Sequence, residues 1–199
     1  GSTGTQTAAL VFGGFPPALT TTESYNGSSW TTVNSMGTAR YQIGGAGIQT
    51  AALAFGGGLP GKSTVTEEFD GTNWTAGGAL NTSRLALGGA GIQTAALAFA
   101  GNITPGNTTA TEEYNGSSWT SVNSMNTSRD TLAGRGTQTS ALGYGGGTPT
   151  PSTATESYDG TSWATTANLG TARYGLGGAG ADSTSSLAFG GGPPAGLTN

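Results

Sequence analysis

The chain has 199 residues, of which only 8% are charged; its formal net charge is −4, and it contains neither cysteine nor histidine. That composition excludes disulfides, thiolate metal sites and Cys- or His-based catalysis, and it lacks the basic footprint of a nucleic-acid binder. No apolar run approaches the ~20 residues that cross a bilayer as a helix, so membrane insertion is not expected.

The 38 glycines, with abundant Ser, Thr and Asn, give the chain a low-complexity look. Its aromatic residues nevertheless keep a fixed period, which a disordered segment has no reason to do. Trp30, Trp74, Trp119 and Trp163 are spaced 44, 45 and 44 residues apart, and Arg40, Arg84, Arg129 and Arg173 keep the same spacing. A tandem repeat is therefore the organising unit. The copies lie near 4–39, 40–83, 84–128 and 129–172, with a partial fifth at 173–199, all within one domain over 1–199. Gly1-Ser2 reads as a cloning remnant on a piece of a longer chain.

In chain order each copy predicts four strands, a to d. In the second copy, strand a is the Gly-rich stretch 41–48. Strand b, 51–57, is a continuous small-apolar run, the pattern of a strand buried on both faces. Strand c, 64–69, carries Thr-x-Thr-Glu followed by Glu or Ser and an aromatic, and strand d carries the Trp. Between c and d stand Asn26-Gly27, Asp70-Gly71, Asn115-Gly116 and Asp159-Gly160, which predict a type I′ hairpin turn. No helical period is long enough to matter. Such a unit cannot bury both faces alone, and radial packing covers them. The expectation is an all-β propeller of four-stranded antiparallel blades.

The strands do not divide evenly. Strand b occurs five times, c and d four times, and a four times with a stub at 2–5. Two closures remain. In one, the last strand a (174–181) joins the N-terminal b, c and d as a fourth blade and leaves a spare strand. In the other, the final a and b make a half-built fifth blade. The second buries every apolar strand b and is favoured, giving five blade positions. Its open edge calls for cover, and a homo-oligomer through the incomplete terminal blade is the expected partner arrangement.

Few residues suggest chemistry. Gly56 to Ser63 matches the phosphate-binding pattern G-x-x-x-x-G-K-[ST], but a strand rather than a helix is expected after it, so a surface loop is the better reading. Glu23, Glu67, Glu112 and Glu156 occupy one repeat position, which suits a repeated structural role opposite the arginines, as exposed and individually weak ion pairs. The four tryptophans suit packing between blades. Asp70, Asp130, Asp159 and Asp182 show no clustered metal-ligand spacing. No metal, no cofactor and no enzymatic activity are expected.

Departures from the repeat concentrate in the b–c loops, where Phe15, Pro17, Lys62, Asn102, Asn107 and Thr148 are the candidate ligand-binding residues. If blades alternate up and down, the b–c and d–a loops open on the same face, as binding faces of repeat proteins commonly do.

A glycine pair ending strand b, then an aromatic, then Trp, then Arg, as in Phe12-Gly13-Gly14, Tyr25, Trp30 and Arg40, resembles the kelch repeat over nearly the whole chain. The wording around TE[SE]Y-NGSSWT and GIQTAALAFGG is similar to kelch-like repeats in structural or tail-associated proteins of tailed bacteriophages. The resemblance implies a kelch-like propeller in a virion or extracellular setting. It would be a non-catalytic recognition module for a glycan or protein receptor, or else a structural spacer or decoration of a larger assembly. The copper oxidases on kelch-type propellers need Cys and His, which are missing here.

Overall fold

The computed structural model describes residues 1–147 and 150–192. Four four-stranded antiparallel sheets and one two-stranded sheet are arranged as a propeller ring. Blade 1 holds β1 (Ser2–Thr5), β2 (Ala8–Phe12), β3 (Thr22–Tyr25) and β4 (Trp30–Val33). Blade 2 holds β5 (Gly44–Ile48), β6 (Ala51–Phe55), β7 (Thr66–Phe69) and β8 (Trp74–Ala76). Blade 3 holds β9 (Gly88–Ile92), β10 (Ala95–Phe99), β11 (Thr111–Tyr114) and β12 (Trp119–Val122). Blade 4 holds β13 (Ala133–Thr137), β14 (Ser140–Tyr144), β15 (Thr155–Tyr158) and β16 (Trp163–Thr165), and the fifth position holds β17 (Gly177–Gly180) and β18 (Ser186–Phe189).

This decides between the two closures. The N-terminal stub is itself strand a of blade 1, with Ser2 opposite Val11 and Thr5 opposite Ala8. Residues of the last strand a pair instead with β18, Gly177 opposite Phe189. The described residues therefore fill five blade positions, the fifth with strands a and b.

The innermost strands pack on one another in sequence, β1 on β5, β5 on β9, β9 on β13 and β13 on β17. They approach so closely that side chains do not fit: a Cβ on Gly89 would sit 2.6 Å from the Gly45 carbonyl oxygen. At the mouth of the ring, Ala86 N donates to Gln42 O, Thr131 N to Ala86 O and Gly175 N to Thr131 O, at 2.8–2.9 Å. This chain of bonds links blades 2 to 5.

Strand b is the core. Ala52, Leu53, Ala54 and Phe55, and likewise Ala96, Leu97, Ala98 and Phe99, are 0% exposed, since blades cover both sheet faces. Each Leu or Phe buried in this way contributes about 1.5–3 kcal/mol.

Two local expectations need correction. Strand a begins at Gly44 rather than at residue 41, because Gln42 has φ 50° and turns the chain. The c–d connection is a four-residue loop, not a two-residue type I′ turn: Tyr25 pairs with Trp30, and only Gly27, not Asn26, has positive φ. The Asn26 side-chain oxygen accepts from the amides of Ser28 and Ser29, and that side-chain cap holds the loop. Asp70, Asn115 and Asp159 do the same. These bonds hold the Asp70 and Asp159 carboxyls below the usual carboxylate range.

Candidate functional site

The repeated Arg and Glu lie at the seams between blades. Arg40 Nη2 meets Glu67 Oε1 at 2.8 Å, Arg84 meets Glu112 at 2.8 Å and Arg129 meets Glu156 at 3.0 Å. The expectation of exposed, weak pairs is overturned, for all three arginines are fully buried. Each guanidinium also donates to carbonyls where strand b leaves and strand c enters, such as Gly56 O at 2.7 Å and Val65 O at 2.8 Å for Arg40. Burial lowers the pKa of each arginine, and the neighbouring carboxylate opposes that shift. The second carboxylate oxygen reaches the loop of the preceding blade, at Gly37 N, Asn81 N and Asn126 N. These glutamates are thus consumed in holding loops and cations. Glu23 is exposed, and among the described residues the Arg173 side chain bonds only to Gly190 O, at 3.0 Å.

Three tryptophans lie across seams. Trp74 packs on Phe12, Trp119 on Phe55 and Trp163 on Phe99, at ring-centroid separations of 4.9–5.2 Å. Their Nε1 atoms donate to Thr22, Thr66 and Thr111 of the preceding blade. Trp30 instead stands 49% exposed. The phosphate-loop lookalike, Gly56 to Ser63, runs into β7 without any helix, and Lys62 Nζ bonds to Thr104 Oγ1 at 2.9 Å.

The b–c and d–a loops do meet on one face, bridged at Leu19–Arg40, Tyr41–Gly58, Leu85–Asn102 and Asp130–Gly147. Phe15 is 69% exposed and packs on Tyr41 of the next blade at 5.0 Å, with Pro17 exposed in the same loop. Lys62 reaches the adjoining loop that contains Asn102 and Asn107. Asn102 Nδ2 donates to Asn107 Oδ1 at 2.8 Å and to Asp130 Oδ2 at 3.2 Å, while Asn107 Nδ2 donates to Gly147 O. Five of the six candidate residues therefore stand on one face across three successive blades. Thr148 lies outside the described residues.

Sequence reasoning missed Arg135. It sits in β13 where the repeat otherwise has Ala46 and Ala90, so departure from the repeat within strand a was the available signal. Its side chain enters the axial channel, whose two ends are cavities of about 170 Å³ lined mostly by backbone and glycine. Nε donates to Gly178 O at 2.6 Å and Nη1 to Gly134 O at 3.1 Å. No carboxylate lines the channel among the described residues, and burial lowers this arginine's pKa. Among the described residues no three Asp or Glu side chains gather into a metal-binding group.

Neither the scan against protein-family models nor the search of curated proteins returns a match for this chain.

Proposed function

We propose that this propeller is a non-catalytic recognition module, which offers its b–c loop face to a glycan or protein receptor. The observation that carries the reading is the contrast between scaffold and loops. The repeated Arg, Glu and Trp positions of the complete seams are spent on packing, whereas the irregular loop residues are exposed or half-buried. The Phe15–Tyr41 pair offers an aromatic face to the C–H side of a sugar ring. The amides of Asn102 and Asn107 offer donors and acceptors for hydroxyls. Proline in these loops lowers the ordering cost of binding. The resemblance of the repeat to kelch-like repeats of phage tail proteins supports a virion or extracellular setting.

A glycan array tests this reading. Binding is expected to fall at least tenfold in Phe15→Ala and in Asn107→Ala, with unchanged circular dichroism. A folded sample that binds no glycan at high protein concentration, and no candidate receptor protein, sinks the recognition reading. It would leave the alternative, a structural spacer or decoration, which the half-built fifth blade independently favours.

A further inference from the structure

Every complete seam is closed by the same set of contacts, and at the fifth position each of them is half made. Among the described residues Arg173 has no glutamate. Thr155 is buried but receives no Trp Nε1, and Tyr144, at the position of Phe12, Phe55 and Phe99, has no tryptophan on its ring among the described residues. On the other side, among the described residues Trp30 has no threonine acceptor, and its ring packs on Tyr25 of its own blade rather than on Phe189, the equivalent of Phe12, Phe55 and Phe99. Strand β18 pairs with β17 alone, and its Leu187 and Phe189 are 63% and 50% exposed. We propose that a β-hairpin lying outside residues 1–199, carrying the residue pattern of strands c and d, adds to β18 and completes the fifth blade.

The unmet contacts specify the hairpin. Its first strand carries a Thr to accept from Trp30 Nε1, followed by a Glu to neutralise Arg173. Its second strand opens with a Trp that takes the repeat position beside Tyr144, itself already buried, and donates to Thr155 Oγ1. A further rule comes from strand c. Glu68 accepts from the hydroxyl of Tyr114 in the next blade, and Glu113 from that of Tyr158. Where the next blade has Phe69, which lacks a hydroxyl, the preceding blade has Ser24. Blade 1 presents Tyr25, whose hydroxyl is unbonded among the described residues, so the incoming strand carries a second Glu. Blade 4 presents Ser157, so the incoming aromatic is Phe. The pattern is Thr-Glu-Glu-Phe, a turn, then Trp, which is the pattern of β7 and β8.

A second copy of this chain is the wrong donor. Among the described residues each copy has five a–b pairs and four c–d hairpins, all four committed to its own blades. Direct pairing of two β18 edges is also blocked. Each edge lies two strands inside the rim of its ring, a recess of about 10 Å at the usual strand spacing.

The test uses a synthetic peptide with the sequence of residues 64–78, TVTEEFDGTNWTAGG, titrated into the ¹⁵N-labelled chain. Saturable 1:1 binding is expected. Shifts should fall on β17–β18, Arg173 and the Trp30 indole, and the midpoint of thermal unfolding should rise. Arg173→Ala, or Gln at the first Glu of the peptide, should weaken binding at least tenfold. Ser at the second Glu should weaken binding to the parent chain but not to Tyr25→Phe. Absence of binding at millimolar peptide overturns the proposal, as does equal binding to Arg173→Ala. A dimer of the chain alone, with β18 amides protected from exchange, assigns the edge to a second copy and overturns it too.

Discussion

Removing a seam carboxylate leaves a guanidinium inside the protein without its counter-charge. Arg84 is the sharpest case: its side chain is 0% exposed and Glu112 is 1% exposed. Its Nε has no partner among the described residues, so the charge depends on Glu112 and three carbonyls. Taking away one member of a buried pair typically costs about 3–5 kcal/mol, far more than breaking a surface pair. Glu112→Gln keeps the shape and part of the hydrogen bonding, so about 3 kcal/mol is expected. Glu23→Gln, at the exposed copy of the same position, should stay within about 0.5 kcal/mol of the parent. Urea unfolding of both variants measures the contrast, and equal small losses would refute the buried-pair account. The pairing was legible in the sequence because both residues repeat in step. Its depth was not, because burial is supplied by the neighbouring blade and not by anything near Arg84 in the chain. The hydroxyl of Tyr114 shows the same cross-seam dependence: burial and its bond to Glu68 push its pKa up to about 12.

At the scale of strands, apolar patterning placed b, c and d well, since their partners are local hairpin neighbours. The start of strand a was misplaced because pattern does not report a left-handed residue. Gln42, Ala86 and Thr131 hold φ of 50°, 54° and 49° just ahead of their strands. The conformation aims each carbonyl at the amide of the next blade, and the inter-blade bonds hold it in place. Thr131 bears the most strain because its Cβ is branched, and left-handed φ costs an L-residue about 1–2 kcal/mol. The fifth copy has Gly175 at this position, with φ 64°. Thr131→Gly should therefore stabilise the chain by about 0.5–1 kcal/mol, after the extra freedom of glycine in the unfolded state is offset. Thermal and urea unfolding report it, and a loss of stability would mean that the Thr131 side chain matters more than its strain. The turn between c and d was likewise legible as a hairpin but not as a four-residue loop. An Asn or Asp cap at its first position serves a four-residue loop as well as a two-residue one.

In the whole ring, stability is a sum over seams, so the weakest seam sets which part opens first. Seams 1–2, 2–3 and 3–4 share a glutamine anchor: Gln49 donates to Tyr25 O, Gln93 to Ala52 O and Phe69 O, and Gln138 to Ala96 O and Tyr114 O. The fifth copy lacks it, its turn being built around Asp182. Seam 4–5 is held by residues peculiar to it: Arg135 on Gly178 O, the Tyr144 hydroxyl on Leu187 O at 3.2 Å, and Ser140 with Ser183 at 2.9 Å. This explains why strand a of blade 4 tolerates a charged side chain in the channel, and why Tyr replaces Phe at the end of β14. Arg135→Ala and Tyr144→Phe restore the residues of the other copies, so the double variant should fold, while two of the bonds that hold the half-blade are removed. Each hydrogen bond of this kind contributes about 0.5–1.5 kcal/mol, somewhat more for the charged donor. Hydrogen exchange in β17–β18 should then quicken by roughly tenfold or more, with protection in β9–β12 unchanged. Faster exchange spread evenly over all five positions would instead mean that the ring opens as a unit. In that case the half-blade would be held by closure of the whole ring, and Arg135 would be a passenger in the channel.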